Sequence, residues 1–244
     1  LCIVVAGAEK LSPDVREAFK LKFNKDIYEG YGATETTPVA SVNIPDAIDV
    51  NYWSVQLGNK LGTVGMPLPG TSFRIVDPDS LQELPTGEDG LILIGGTQVM
   101  LGYLDDEEKT NEAITVLDDK RWYKTGDKGH LDEDGFLTIV DRYSRFAKLG
   151  GEMISLTTVE EAIRNALNKP ELELLAINLP DEKKGEKVVL MITEEIELAD
   201  LKKVMLDADA NPLMIPAEVK VVEEIPKLGS GKTDFKSAKQ KILE

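Results

Sequence analysis

Two breaks in texture, near Gly62 and near Arg142, constrain the fold of this 244-residue chain more than any single motif does. Before the first break, Leu1 to Ala6 has the continuous apolar look of a strand buried on both faces, and Gly7-Ala8-Glu9 ends it in a turn. Ser12-Pro13 then supplies an N-cap and a first-turn proline for a helix reaching about Phe23. A second short strand around Asp26 to Glu29 leads into Gly30-Tyr31-Gly32. This strand-helix-strand order fits the edge of an α/β sheet, where ligands sit at the C-terminal ends of strands.

From about Gly62 to Asp141, short strands alternate with Gly, Pro and Asp clusters: Phe73 to Val76, Leu91 to Ile94, and Phe136 to Val140 after Asp132-Glu133-Asp134-Gly135. That pattern predicts a small antiparallel β unit. Past Arg142 the sequence predicts a helix over about Thr158 to Leu167, strands near Leu172 to Ile177 and Lys187 to Thr193, a helix near Leu198 to Leu206, a strand at Glu218 to Val222 and a terminal helix from Asp234 to Leu243. The expected fold class is α/β followed by α+β, with an α/β edge over residues 1–60, a β subdomain over 61–141 and a compact α+β domain over 142–244. With 42% hydrophobic side chains, the chain has the material to bury a core.

Charge excludes some partners. The net formal charge is −16, whereas phosphate-rich partners are recruited by clustered Lys and Arg, so general binding to nucleic acid or to an anionic membrane is not expected. The charge is uneven: residues 1–141 carry 12 basic and 25 acidic side chains, and residues 142–244 carry 16 and 19. The later part can therefore approach an acidic partner more easily. Cys2 is the only cysteine and His130 the only histidine, which argues against a disulfide, a zinc site and a Cys/His dyad. Cys2 reads as a small apolar strand residue. No apolar run approaches the ~20 residues of a membrane helix, and no signal peptide is seen. The chain opens inside an apolar run without a methionine, and reads as a piece of something longer.

Three segments carry chemistry. Gly229-Ser230-Gly231-Lys232-Thr233 ends a glycine-punctuated loop and matches the last part of a P-loop. Pro226 stands where the first P-loop glycine belongs and has no N–H to offer a phosphate, so a reach-in lysine and an exposed flexible loop both remain open. Tyr31-Gly32-Ala33-Thr34-Glu35 offers an aromatic face, a hydroxyl and a carboxylate at one sheet edge, the groups a magnesium nucleotide needs; a simple turn with a solvated Glu35 fits as well. Tyr123-Lys124-Thr125-Gly126-Asp127 puts a carboxylate after a glycine, suited to vicinal ribose hydroxyls and equally to an ordinary β-turn.

In their order and spacing these segments, with Gly7-Ala8-Glu9 upstream and Asp141-Arg142 to Gly150-Gly151 between, resemble the adenylate-forming (AMP-binding) enzyme superfamily. The resemblance covers essentially the whole chain and only the later part of such an enzyme. Three local strings look like the acyl-acyl carrier protein synthetase part of bacterial 2-acylglycerophosphoethanolamine acyltransferases: Val4 to Leu11, Arg145-Phe146-Ala147-Lys148 with Gly151-Glu152-Met153, and Leu228 to Lys232.

The resemblance implies roles residue by residue. Gly7 and Ala8 would line the adenine pocket, Tyr31 with Gly32 would meet the base, Thr34 would contact the α-phosphate and Glu35 would hold Mg²⁺. Asp127, helped by Arg142, would bind the ribose. Lys232 would bridge the attacking carboxylate and the α-phosphate of ATP. Lys148 and Gly151 would belong to a second face used for thioester formation, reached by a swing of the C-terminal domain about Ser144. Residues 1–141 would be the end of a large adenylate-forming N-terminal domain and 142–244 the mobile domain.

The implied enzyme is an acid-thiol ligase of fatty acid and phospholipid metabolism. It would take a fatty acid and acyl carrier protein, or coenzyme A, with ATP and Mg²⁺, as a cytoplasmic enzyme at or near the cytoplasmic face of a bacterial inner membrane. A non-catalytic carrier-protein or nucleotide-binding module is the alternative. Arg142, Arg145 and Lys148 are expected to form a basic cluster that favours an acidic carrier protein. Two departures stand out: Ser144 replaces the usual Asp or Lys of the hinge, and the Ser/Thr/Gly-rich phosphate loop of the superfamily is absent from residues 1–244. The isolated chain is therefore expected to be inactive and to bind ATP weakly or not at all.

Overall fold

A computed structural model describes residues 3–149, 151–181, 185–229 and 231–243. Cys2, Gly150 and Ser230, each singled out in the sequence, lie outside the described residues. The chain divides into two compact units, Leu1–Tyr143 and Ser144–Glu244.

In the first unit, β1 (Val4–Ala6) runs parallel to β2 (Ile27–Tyr31) across α1 (Pro13–Phe23). The proline opens α1 as expected, but Ser12 makes no side-chain cap bond, and Asn24 closes the helix in the left-handed region. The apolar run forms the expected strand; among the described residues β1 pairs with β2, and Ile3 and Val5 are 51% and 55% exposed in this stretch of chain. Buried Glu29 on β2 holds the helix by pairing with Arg16 and accepting from Leu11 N. Next come β3 (Ser41–Val42), a hairpin of β4 (Ala47–Asp49) and β5 (Ser54–Gln56), and β6 (Met66–Pro67), which pairs with β3.

The β unit follows: β7 (Thr71–Val76), β8 (Gly90–Gly96), α2 (Glu107–Ala113), β9 (Ile114–Leu117), β10 (Lys120–Leu131) and β11 (Leu137–Arg142). Its sheet is antiparallel in the order β11-β10-β8-β7, with β9 also on β10. β8 reads as continuous apolar sequence because it is covered on both faces: Ile92 and Ile94 join one cluster with Ile75, Tyr123 and Leu137, while Leu91 and Leu93 join another with Val76 and Trp122. Each such side chain stabilises the fold by roughly 1.5–3 kcal/mol.

The second unit contains β12 (Phe146–Leu149), β13 (Glu152–Ser155), α3 (Leu156–Leu167), β14 (Leu174–Asp181), β15 (Gly185–Ile192), α4 (Leu198–Asp207), β16 (Glu218–Val221) and α5 (Phe235–Leu243). β15 is again two-sided, sending Val188, Leu190 and Ile192 to the α3/α4 face and Val189 and Met191 to the α5 face. Ser155 caps α3 by accepting from Thr158 N, and Leu156, Val159 and Ile163 fall on its buried stripe. The helices and strands expected after Arg142 are present within a few residues, and Lys148 lies on a strand, β12, that pairs antiparallel with β13.

Candidate active site

Asp127 anchors the site of the first unit. The sequence suggested a turn at Thr125-Gly126-Asp127; the structure instead places these residues in a bulge within one 12-residue strand, β10, whose register against β8 shifts between Lys124 and Lys128. Gly126 takes φ +74°, a left-handed conformation costly for other residues. Thr125 Oγ1 donates to Ile92 O at 2.9 Å and accepts from Asp127 N at 3.0 Å, which fixes the bulge. The distortion turns the Asp127 carboxylate toward β2 and β11. Tyr31 OH donates to its Oδ2 at 2.5 Å and Arg142 Nε to its Oδ1 at 3.1 Å.

Asp127 is only 7% exposed. Burial pushes its carboxyl above the usual range, and the Tyr31 bond and the Arg142 charge offset this only in part. Burial, reinforced by Asp127, also drives the Tyr31 phenol far upward, so Tyr31 is a neutral donor.

After β2 the chain makes a tight return. Thr34–Thr36 is one 3₁₀ turn, locked by Thr36, whose buried Oγ1 donates to Ala33 O and accepts from Ala33 N, each at 2.9 Å. A Cβ on Gly32 would lie 2.0 Å from Pro38 O, so this glycine is demanded by the chain's own return. The turn leaves Thr34 exposed and Glu35 half-buried. Tyr103 OH donates to Glu35 Oε1 at 2.6 Å, and Met100 N donates to the Glu35 carbonyl at 2.8 Å. Burial alone would raise the Glu35 carboxyl, but bonds from Tyr103, the backbone and Tyr123, with the nearby Lys109 charge, bring it below its ordinary value. The Tyr103 phenol is pushed up to about 12 by that same bond. Burial, with the nearby Glu35 and Asp127 charges, pushes the Tyr123 phenol up as well.

Thus Tyr31, Glu35, Asp127 and Arg142 are gathered in one unit. Gly7 lies at the end of β1, where a Cβ would sit 3.0 Å from Gly30 O, and exposed Ala8 adopts φ +78°. Sequence reasoning missed Tyr103 and gave Tyr123 no role; Tyr103 lies in the segment between β8 and α2, and Tyr123 sits on β10 just before the bulge, paired with Ile94 and Ile114.

The remaining residues belong to the second unit. Ser144 is exposed in a 3₁₀ turn, Lys148 is exposed on β12 opposite Met153, and Gly151 takes φ +97° with open space around it. Lys232 is exposed on a closed hairpin rather than an open loop: Lys227 and Thr233 form a bridge, Leu228 N donates to Lys232 O at 2.7 Å, and Gly231 N donates to Leu228 O at 2.8 Å. The expected basic cluster is not present as such. Arg145 is buried and paired with Glu160 at 2.7 Å, a partner 15 residues away that no local pattern announces.

Comparison with known proteins places the chain among relatives. The AMP-binding enzyme family matches over residues 1–104. A 4-coumarate–CoA ligase-like protein of Oryza sativa is 31% identical over 94% of this chain and 40% of its own length. A long-chain-fatty-acid–CoA ligase of Salmonella typhimurium is 32% identical over 84% of this chain and 34% of its own length. ATP-bound MatB of Rhodopseudomonas palustris superposes with a TM-score of 0.76 at 27% identity, over 99% of this chain and 44% of that one. The mixed α/β chain belongs to the AMP-binding, adenylate-forming enzyme superfamily. It spans about 40% of the length of the first of these relatives. Among the described residues, no helix is long and apolar enough to cross a membrane.

Proposed function

We propose that this chain is the later part of an acyl-activating ligase that joins a fatty acid to AMP and then passes the acyl group to a thiol. The observation that carries this reading is the convergence of Tyr31, Asp127 and Arg142 with Glu35 on the first unit. A buried carboxylate held in place by a neutral phenol and a guanidinium keeps lone pairs for two neighbouring hydroxyls of a ribose. The Tyr31 ring is assigned to stack on the base, Gly7, Ala8 and Gly32 to line its pocket, and Thr34 to offer a hydroxyl to the α-phosphate. In the first half-reaction a carboxylate oxygen attacks the α-phosphorus of ATP and the bond to pyrophosphate breaks. Lys232 supplies the charge that offsets what builds up there.

Magnesium, which would be bound mainly by the phosphates, usually keeps several waters and takes only one or two protein carboxylates. No group of three or more His, Cys, Asp or Glu suited to a metal is found among the described residues, so one ionised carboxylate, Glu35, fits the need without a dedicated cage. In the second half-reaction a thiolate attacks the acyl carbonyl and AMP leaves. Lys148 and Gly151 are assigned to that step, residues 144–244 to the mobile domain, and Ser144 to its hinge.

We assign acyl carrier protein as the thiol acceptor on the three local strings; the names of the relatives favour coenzyme A as a second reading. Exposed Lys148 is assigned to meet an acidic partner, whereas Arg142 is engaged with Asp127 and Arg145 is buried with Glu160. The test offers the intact enzyme a long-chain fatty acid, ATP and either holo-acyl carrier protein or coenzyme A. Faster thioester formation on the carrier protein supports the assignment; faster formation on coenzyme A reassigns the acceptor.

A further inference from the structure

Arg145 follows Ser144 directly, yet its side chain is turned inward and only 7% of the residue is exposed. Nη2 donates to Glu160 Oε1 at 2.7 Å, and Nη1 donates to Ala176 O at 3.1 Å. The same Glu160 oxygen accepts from Ala176 N at 2.8 Å, so α3 and β14 together fix the plane of the guanidinium. Its Cζ lies over the Phe235 ring, 4.6 Å from the centroid. Phe235 opens α5, three residues after Lys232.

The contact is not explained by core packing. Phe235 is 43% exposed, and the core residue of α5 is Ala238 at 0%. What the stack does hold is one end of the hairpin carrying Lys232. Asp234, between the bridge and Phe235, donates its N–H to Pro226 O at 2.8 Å and caps α5 through Ser237. At the other end Lys227 pairs with Glu173 at 2.6 Å, but both side chains are about half exposed, and such pairs fix little. A guanidinium already locked by hydrogen bonds loses no freedom on stacking, which makes it the firmer anchor.

We propose that Arg145 is a positioning residue for Lys232, acting through Phe235 to hold the 227–233 hairpin. The inference rests on the reading of Lys232 given above. A lysine on a flexible stem needs its backbone held to a fraction of an ångström if the charge is to arrive in place.

Phe235→Leu is the informative variant, since it removes the stack and leaves the buried Arg145–Glu160 pair whole; Phe235→Tyr restores the ring. In the 244-residue chain, Phe235→Leu is expected to speed amide exchange in the 227–234 segment about fivefold, with α3 unchanged, and Phe235→Tyr to return it to normal. In the intact enzyme, Phe235→Leu is expected to lower pyrophosphate exchange about fivefold and spare thioester formation from preformed acyl-AMP. Unchanged exchange in that segment, or an equal fall in both half-reactions, overturns the proposal. Wild-type pyrophosphate exchange in Lys232→Ala, with the segment still loosened by Phe235→Leu, overturns instead the role of Lys232 on which the proposal depends.

Discussion

The Tyr31 hydroxyl donates a 2.5 Å hydrogen bond to the buried Asp127 carboxylate, joining two positions 96 residues apart in the chain. The bond ties the end of β2 to the bulge of β10, so it is both a structural clasp and the frame of the proposed ribose site. Removing the donor leaves one oxygen of a buried carboxylate unsatisfied.

Tyr31→Phe should therefore destabilise the chain by about 1.5–3 kcal/mol, the range for a hydrogen bond to a charged group. Urea unfolding of the 244-residue chain measures it. The Asp127 carboxyl, already raised by burial, should rise further once the bond that lowers it is gone, and a carboxyl resonance titrated in both proteins would detect this.

The Tyr103–Glu35 bond gives a pH signature. Tyr103 is raised in the folded chain from its ordinary 10.0 to about 12. A group raised on folding contributes its full stability below the unfolded value and loses it as pH climbs through the folded one. Glu35 is lowered from 4.5, so its contribution is present above that value and lost as pH falls through its folded one. The stability difference between wild type and Tyr103→Phe should thus be flat between these limits, about 1 kcal/mol after discounting for exposure. It should shrink toward pH 12 and again in acid. A difference that grows on either side contradicts the assignment.

Two glycines should respond differently to alanine. At Gly32 the added methyl would meet Pro38 O at 2.0 Å and Ala40 N at 2.9 Å, both backbone atoms that cannot step aside. Gly126 has open space around it and only the cost of φ +74°. Gly32→Ala is expected to cost about 3 kcal/mol or more, and Gly126→Ala about 1 kcal/mol. Thermal unfolding of the two variants orders them; a larger loss at Gly126 would overturn this account of the two turns.

Much of the architecture was legible because period and punctuation carry it. The proline at the head of α1, the apolar runs of β8 and β15, and the acidic turn before β11 each act locally, and local signals survive without a structure. What failed was pairing across distance. Arg145 looks like a free surface charge until Glu160 arrives on α3. At the site, Asp127 and Tyr31 could be picked out by type, whereas Tyr103 could not, since it reaches Glu35 from 68 residues away in the chain. The hairpin of β4 and β5 was not anticipated, and Tyr52 and Trp53 between its strands stand 82% and 83% exposed.

Lys232 carries the central claim, and the most direct test is fatty-acid-dependent exchange of pyrophosphate into ATP by the intact enzyme and its Lys232→Ala variant. The account predicts a loss of about 10²–10³ in that exchange, the size expected for one key electrostatic contact in a transition state, with the variant still folded by circular dichroism. Exchange at the wild-type rate in a folded Lys232→Ala enzyme would contradict it.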